Sequence, residues 1–300
     1  MHTIVNITVI SDKGTVFTND ALEKAFQAFK DVAQKYTRFN PKSELSQLNN
    51  AVKGVAQPVS SVLFKLISEA LHVSELTDGL FDPTIIDILE AYGYGVNADF
   101  AKLDNPNLVK EINELLLTRK SYKLIKLNAT DRSVTLAPNQ RLDLGGIAKG
   151  YAIDLAHDVL LSNFDSFIIN AGGDIRAHGL KEDDQPWIVG LEKAPQFIND
   201  KYDSSWANIE LNNLAIASSG AWSRKIKFFH HLINPKTGLP IEETTQVFTI
   251  AKTAMQADVW ATALFMLGKD GLDLAIANNI TCCIIDHKQH IYKTADFPQF

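Results

Sequence analysis

The stretch Arg141–Asp154, RLDLGGIAKGYAID, constrains the fold more than any other part of the chain. An apolar run ends at Asp143, and two adjacent glycines follow. Ile147, Tyr151, Ile153, Ala156 and Val159 then recur at roughly helical spacing. A strand, a glycine turn and a helix start form a geometry that lets backbone groups approach an anionic ligand closely. Gly145 and Gly146 carry no side chains to block that approach. Lys149 falls in the first turn of the predicted helix, where a cation is poorly placed against the helix dipole. It therefore needs another partner, and a phosphate suits it. The same pattern also suits a tight turn that only packs a helix on a sheet.

The 300 residues are 46% hydrophobic and 21% charged, enough for one large domain or two lobes sharing a site. A net charge of -6 argues against the basic footprint of a nucleic-acid binder. No run of about 18 apolar residues is present to span a membrane. Cys282 and Cys283 are adjacent inside ITCCII and read as buried strand residues, not as a disulfide framework or metal site. No secretory signal precedes the first strand, which is expected either of a cytoplasmic chain or of one whose N-terminus has been trimmed.

Thr3–Ile10 reads as that first strand, and Asn19 as the cap of a helix ending near Tyr36. In the polar stretch that follows, Ser43 with Ser46 suits a capped turn, and Phe39 is either a cover for the core or a ligand contact. A helix is expected over Ser60–Leu76. The turn TDGLFDPTI then presents Asp82. Asn105–Leu117 reads as helix, and Tyr122–Leu127 with Ser133–Leu136 as a hairpin. Further strands are expected at Phe167–Asn170, Trp187–Leu191, Trp206–Leu211, Ala215–Ser218, Cys282–Ile285 and His290–Tyr292, with a helix over Ala254–Leu267. Glycine or serine loops recur at AGGDIRAHG and SSGAWSR. Strands and helices mix without strict alternation, which predicts an α+β fold of mixed sheets and packed helices.

Asp258 and Thr262 are four residues apart on an otherwise apolar helix and share a face. A carboxylate and a hydroxyl there suit a hard cation such as Mg²⁺, with backbone carbonyls, water and a substrate phosphate completing the shell. An Asp serving the helix dipole, with Thr262 packed or bonded back to the helix, gives the same pattern. Alternation in FFHHLI puts one of His230 and His231 inward. An inward His is commonly a hydrogen-bonded core residue, yet this pair adjoins a Pro/Gly turn, where functional groups concentrate.

SELSQLN, TDGLFDPTI, DLGGIAKGYAID, INAGGDIRAHG, WIVGLEKAP, AIASSGAWSR, HHLINPKTG and ADVWATALFMLG each resemble a block of the ApbE-like flavin transferases, the FAD:protein FMN transferases. The blocks occur in the family's order over nearly the whole chain. The resemblance implies one domain over 1–300, built as two interleaved lobes enclosing a flavin dinucleotide site. It implies Mg²⁺-dependent cleavage of FAD at its pyrophosphate, transfer of FMN to a Thr or Ser hydroxyl of an acceptor flavoprotein, and release of AMP. Carried over by position, the metal site comprises the side chains of Asp258 and Thr262 and the carbonyl of Gly146. FAD contacts comprise Met1, Phe39, Leu80, Phe81, Asp82, Asp143, Lys149 and the backbone near Ile233. His231 assists proton transfer from the incoming hydroxyl. Four positions depart from the family: Met1-His2-Thr3 replaces Met-Gly-Thr, Phe39 stands where Tyr is common, Asn234 where Asp is usual, and Ala261 where some relatives carry Asp. These departures leave two alternatives, an Mg²⁺-dependent FAD pyrophosphatase giving FMN and AMP, and a non-catalytic FAD-binding protein. Family members are often lipid-anchored at the cell membrane.

Overall fold

In the computed structural model, residues 3–198, 204–222, 226 and 229–299 are described. In chain order the regular elements are β1 (Val5–Ile10), α1 (Thr15–Lys35), α2 (Glu44–Asn50), β2 (Gln57–Pro58), α3 (Ser61–Leu76), α4 (Ile86–Ala91), α5 (Leu108–Thr118), β3 (Lys126–Asn128), β4 (Ser133–Thr135) and α6 (Ala148–Leu161). Then follow β5 (Ser166–Ala171), β6 (Asp174–His178), β7 (Trp187–Glu192), β8 (Ser205–Leu211), β9 (Ala215–Gly220), β10 (Thr244–Ala251), α7 (Ala254–Leu267), α8 (Leu272–Ala277), β11 (Thr281–Asp286) and β12 (Ile291–Lys293). The chain divides into two compact units: Met1–Val32, Ile147–Trp222 and Glu242–Phe300 form one, Ala33–Gly146 and Ser223–Ile241 the other.

The first unit is built on an antiparallel sheet in the order β1-β5-β6-β9-β10-β11-β12. Successive side chains of a strand point to opposite faces. Phe248 and Ile250 of β10, with Cys283 and Ile285 of β11, enter a core shared with Trp187, Val189 and Leu191 of β7 and Ile209 and Leu211 of β8. On the opposite face, Thr249 Oγ1 donates to the Ala257 carbonyl of α7 at 2.6 Å. Helices α6 and α7 pack on each other, α7 on β9 and β10, and α6 on β5 and β6. Being covered on both faces, β10 is buried along its whole length. The Cys282 and Cys283 thiols lie free in β11, and burial pushes each up to about 12.

The second unit holds α2 to α5 and the small sheet β2-β4-β3. Its core gathers Ile88, Ala91 and Tyr92 around Leu108, Ile112 and Ile233. Ser43 accepts from the Ser46 amide at 2.9 Å, as the capped turn expected there requires, and Ser60, expected to open α3, instead caps it by accepting from the Leu63 amide at 3.2 Å. Among the described residues, no helix is long and apolar enough to cross a membrane.

Several elements differ from the sequence reading. Helix α1 starts at Thr15, so Asn19 is an interior residue; the Gly14 carbonyl already accepts from the Thr18 amide at 3.1 Å. Helix α5 begins at Leu108, with Asn105 outside it. Ser218 and Ser219 are strand residues of β9, paired with Phe248 and Val247. The run that ends at Asp143 forms no strand before the glycine turn, and most of AGGDIRAHG is strand β6, where the sequence suggests a loop. Strands β2 and β10 and helices α4 and α8 have no counterpart in the sequence reading.

His157 on α6 packs edge-on against the rings of Phe167 and His178, with centroids at 5.2 and 5.6 Å. Burial, reinforced by the Arg176 charge, pushes its imidazole from 6.5 down to about 4. The unfolded chain therefore binds this proton first as the pH falls. The His157 contribution to stability is complete above pH 6.5 and is lost as the pH falls toward about 4. Urea unfolding across that range shows a stability loss that His157→Phe reduces; an unchanged slope in the variant contradicts the assignment.

Candidate functional site

The site is assembled in the first unit where α6 crosses α7. Gly150 makes the crossing possible, because a Cβ there would lie 2.3 Å from the Ala254 carbonyl oxygen. Its amide donates to Asp258 Oδ2 at 2.9 Å. One turn along α6, the Asp154 carboxylate accepts from the Ala254 and Met255 amides at 2.8 and 2.9 Å, the first free amides of α7. Thr253 caps the same end from within, accepting from the Gln256 amide at 3.2 Å. Arg176 of β6 donates to Asp154 Oδ1 at 2.6 Å. Burial lifts the Asp154 carboxyl above its ordinary range, against the pull of the two amides and of Arg176. Gly150 and Asp154, four residues apart on one face of α6, thus fix the first turn of the helix that carries Asp258.

Asp258 is 6% exposed, and Thr262 shares its helix face one turn on. The Thr262 hydroxyl lies 3.4 Å from the Ser219 hydroxyl of β9. Lys149 pairs directly with Asp174, and its Nζ is 3.8 Å from Asp258 Oδ1. Asp174 follows two glycines of positive φ, Gly172 and Gly173, and only 1% of it is exposed. Burial, with the Asp258 charge adding to it, raises the Asp174 carboxyl well above the ordinary range, and Lys149 opposes that rise. Lys149 therefore has carboxylate neighbours on β6 and α7 that its place in the sequence does not reveal.

A hard divalent cation suits this donor set. Asp258 and two hydroxyls offer oxygen ligands, and the Lys149 ammonium, 3.8 Å from Asp258 Oδ1, is a like charge that a bound cation would have to displace or tolerate. No group of three or more His, Cys, Asp or Glu residues able to hold a metal occurs among the described residues.

The other sequence-derived site residues lie in the second unit, except Met1, which is outside the described residues. The turn before α4 does not present the Asp82 carboxylate. That side chain is buried, held by Arg119 Nη2 at 2.5 Å and by the Thr84 amide and hydroxyl at 2.8 and 2.6 Å. Asp143 pairs with Arg38 and accepts from the Gly145 amide at 2.5 Å. Arg38 also reaches the Tyr94 carbonyl at 2.6 Å and stacks over Phe39, whose ring is 52% exposed. Leu80 is half-buried and Phe81 buried. Gly146 is the last residue of the second unit's Ala33–Gly146 segment.

His230 is the inward histidine of its pair. Its Nδ1 accepts from the Leu232 amide at 3.3 Å, which leaves Nε2 to donate to the Ile241 carbonyl at 3.0 Å. His231 is half-buried, with its ring centroid 6.3 Å from that of Tyr94. Ile233 is buried and bridges to Pro240 through its backbone.

The family model described as ApbE matches residues 1–284. The chain belongs to the ApbE family. A relative in Haemophilus influenzae named FAD:protein FMN transferase is 30% identical over 297 residues, covering 95% of this chain and 84% of the relative. The crystal structure of the ApbE protein of Thermotoga maritima superposes with a TM-score of 0.84 at 30% identity, covering 98% of this chain and 94% of that one. The flavin transferase ApbE of Vibrio cholerae gives a TM-score of 0.85 at 27% identity, covering 99% and 95%. This chain therefore has the α+β fold of the ApbE flavin transferases.

The ApbE blocks contain three residues that the sequence reading did not assign a role, Asp154, Asp174 and Arg176, and Arg38 lies outside the blocks. Asp154 had a readable signal, since it is four residues after Gly150 in the same motif. The glycine at the crossing gives a direct test. Gly150→Ala forces backbone apart and lowers stability by about 1–3 kcal/mol, the usual cost of overpacking. Gly14→Ala, with nothing within 4 Å of the added carbon, serves as the control. Thermal melts that treat the two variants alike contradict the close crossing.

Proposed function

We propose that this chain is an FAD:protein FMN transferase. The whole-chain match to relatives of that name supports the reading, together with a site that gathers Asp258, Thr262, Ser219 and Lys149 on α7, β9 and α6. FAD is the substrate. The bond between its two phosphates breaks, the FMN phosphorus forms a bond to a Thr or Ser hydroxyl of an acceptor flavoprotein, the hydroxyl proton leaves, and AMP departs. In phosphoryl transfer the protein acts mainly by positioning groups and neutralising charge.

Asp258 and Thr262 would hold Mg²⁺, with Gly146 the implied carbonyl ligand. When bound, the ion would neutralise charge on the phosphate oxygens. Lys149, in the first turn of α6, supplies a second positive charge beside the site. His231 takes the proton of the incoming hydroxyl. His230 is unsuited to that role, because both its ring nitrogens are committed to backbone groups. Phe39, with an exposed ring, offers a stacking surface to an aromatic ring system. Leu80, Phe81, Asp82, Asp143 and the backbone at Ile233 complete the proposed FAD contacts, together with Met1. The Asp82 and Asp143 carboxylates are already held by Arg119 and Arg38, so these two residues act by shaping their loops.

Incubation with FAD, Mg²⁺ and a flavoprotein domain bearing an accessible Thr tests the proposal. The expected result is a covalently fluorescent acceptor and matching AMP release, reduced on the order of 100-fold or more by Asp258→Ala. FMN and AMP formed faster without acceptor than with it indicate a pyrophosphatase instead. Bound FAD that is never turned over indicates a binding protein.

A further inference from the structure

Asp174 has no part in the transfer chemistry described above, yet it is a buried carboxylate beside the site. It opens β6, its Oδ1 accepts from the Ser218 amide at 3.4 Å, and its other oxygen meets the Lys149 ammonium. Asp258 has one oxygen, Oδ2, taken by the Gly150 amide. Its other oxygen, Oδ1, faces Lys149 at 3.8 Å. An ammonium and a divalent cation compete for that oxygen. Lysine is a point charge on a flexible stem, so it goes to whichever carboxylate holds it more closely. Here the direct pair is with Asp174 and the longer approach is to Asp258.

We propose that Asp174 is a positioning residue that holds the Lys149 ammonium off Asp258, keeping the Asp258 carboxylate available to a divalent cation. The inference rests on the metal assignment made under the proposed function. Without Asp174, Lys149 settles on Asp258 and blocks the oxygen the cation needs. The arrangement also keeps Lys149 poised beside the site, where it meets the phosphates of the substrate.

Binding of Mn²⁺ alone, followed by the loss of the free-ion electron paramagnetic resonance signal without FAD, tests this on the full chain. Asp174→Asn keeps the oxygen that accepts from Ser218 and removes the charge. It is expected to raise the half-saturating Mn²⁺ concentration about tenfold or more. In a Lys149→Met background the same substitution changes it by less than about twofold, since no ammonium remains to be held. An equal effect in both backgrounds overturns the proposal, as does no effect in the wild-type background. Lys149→Met alone is expected to bind Mn²⁺ at least as tightly as the wild type, and weaker binding also overturns it. This arm stands even where Asp174→Asn does not fold. Asp258→Ala separates the two levels: saturable Mn²⁺ binding that survives it refutes the metal assignment itself.

Discussion

The backbone-to-backbone contact of α6 with α7 at Gly150 is the constraint on which the site depends. It brings the amide of one helix onto the Asp258 carboxylate of the other at 2.9 Å. The same crossing lets Asp154 reach the first free amides of α7. A carboxylate at a helix N-terminus satisfies donors and complements the dipole. Asp258 is thereby held by two neighbouring points of α6, with Arg176 of β6 balancing Asp154 from the sheet. A side chain whose own helix is anchored this way keeps one orientation, which suits a ligand for a small hard cation.

The charges around that anchor are arranged as a chain. Lys149 lies between Asp174 and Asp258, and Arg176 answers Asp154. Burying carboxylates without such partners costs several kcal/mol each, at the level of the order of magnitude expected for desolvated ions. Each acid in the first unit's site has a base or an amide on an adjacent element. The second unit repeats the logic, with Arg38 shared among Asp143, Glu90 and the Tyr94 carbonyl, and Arg119 on Asp82.

Much of this was legible in the chain. Helix α7 has the bounds expected from the sequence, with Thr253 capping one end and Gly268 the other. The Asp258/Thr262 face follows from helical spacing alone, and Lys149 in a first turn signals that a partner exists. The identity of that partner was not legible, since Asp174 is distant in sequence and meets Lys149 only through the packing of α6 on β6. Strand β10 escaped for a related reason. It is buried on both faces, so its residues do not alternate, and its threonines and Gln246 mask the apolar run. Asn19 misled because a capping residue type also tolerates a helix interior when tertiary contacts extend the helix. Gly145 and Gly146 are the paired glycines of the motif, while Gly150, a single one, is where the backbones meet.

We propose that Asp258 and Thr262 of α7 hold the divalent cation of the transfer reaction. A crystal grown with FAD and Mn²⁺, measured for anomalous scattering from manganese, tests it most directly. The expected map shows a manganese peak within coordination distance of the Asp258 carboxylate and the Thr262 hydroxyl, against the flavin dinucleotide's phosphates. Manganese bound to those phosphates but away from both side chains, with Lys149 still seated beside Asp258, would contradict the account.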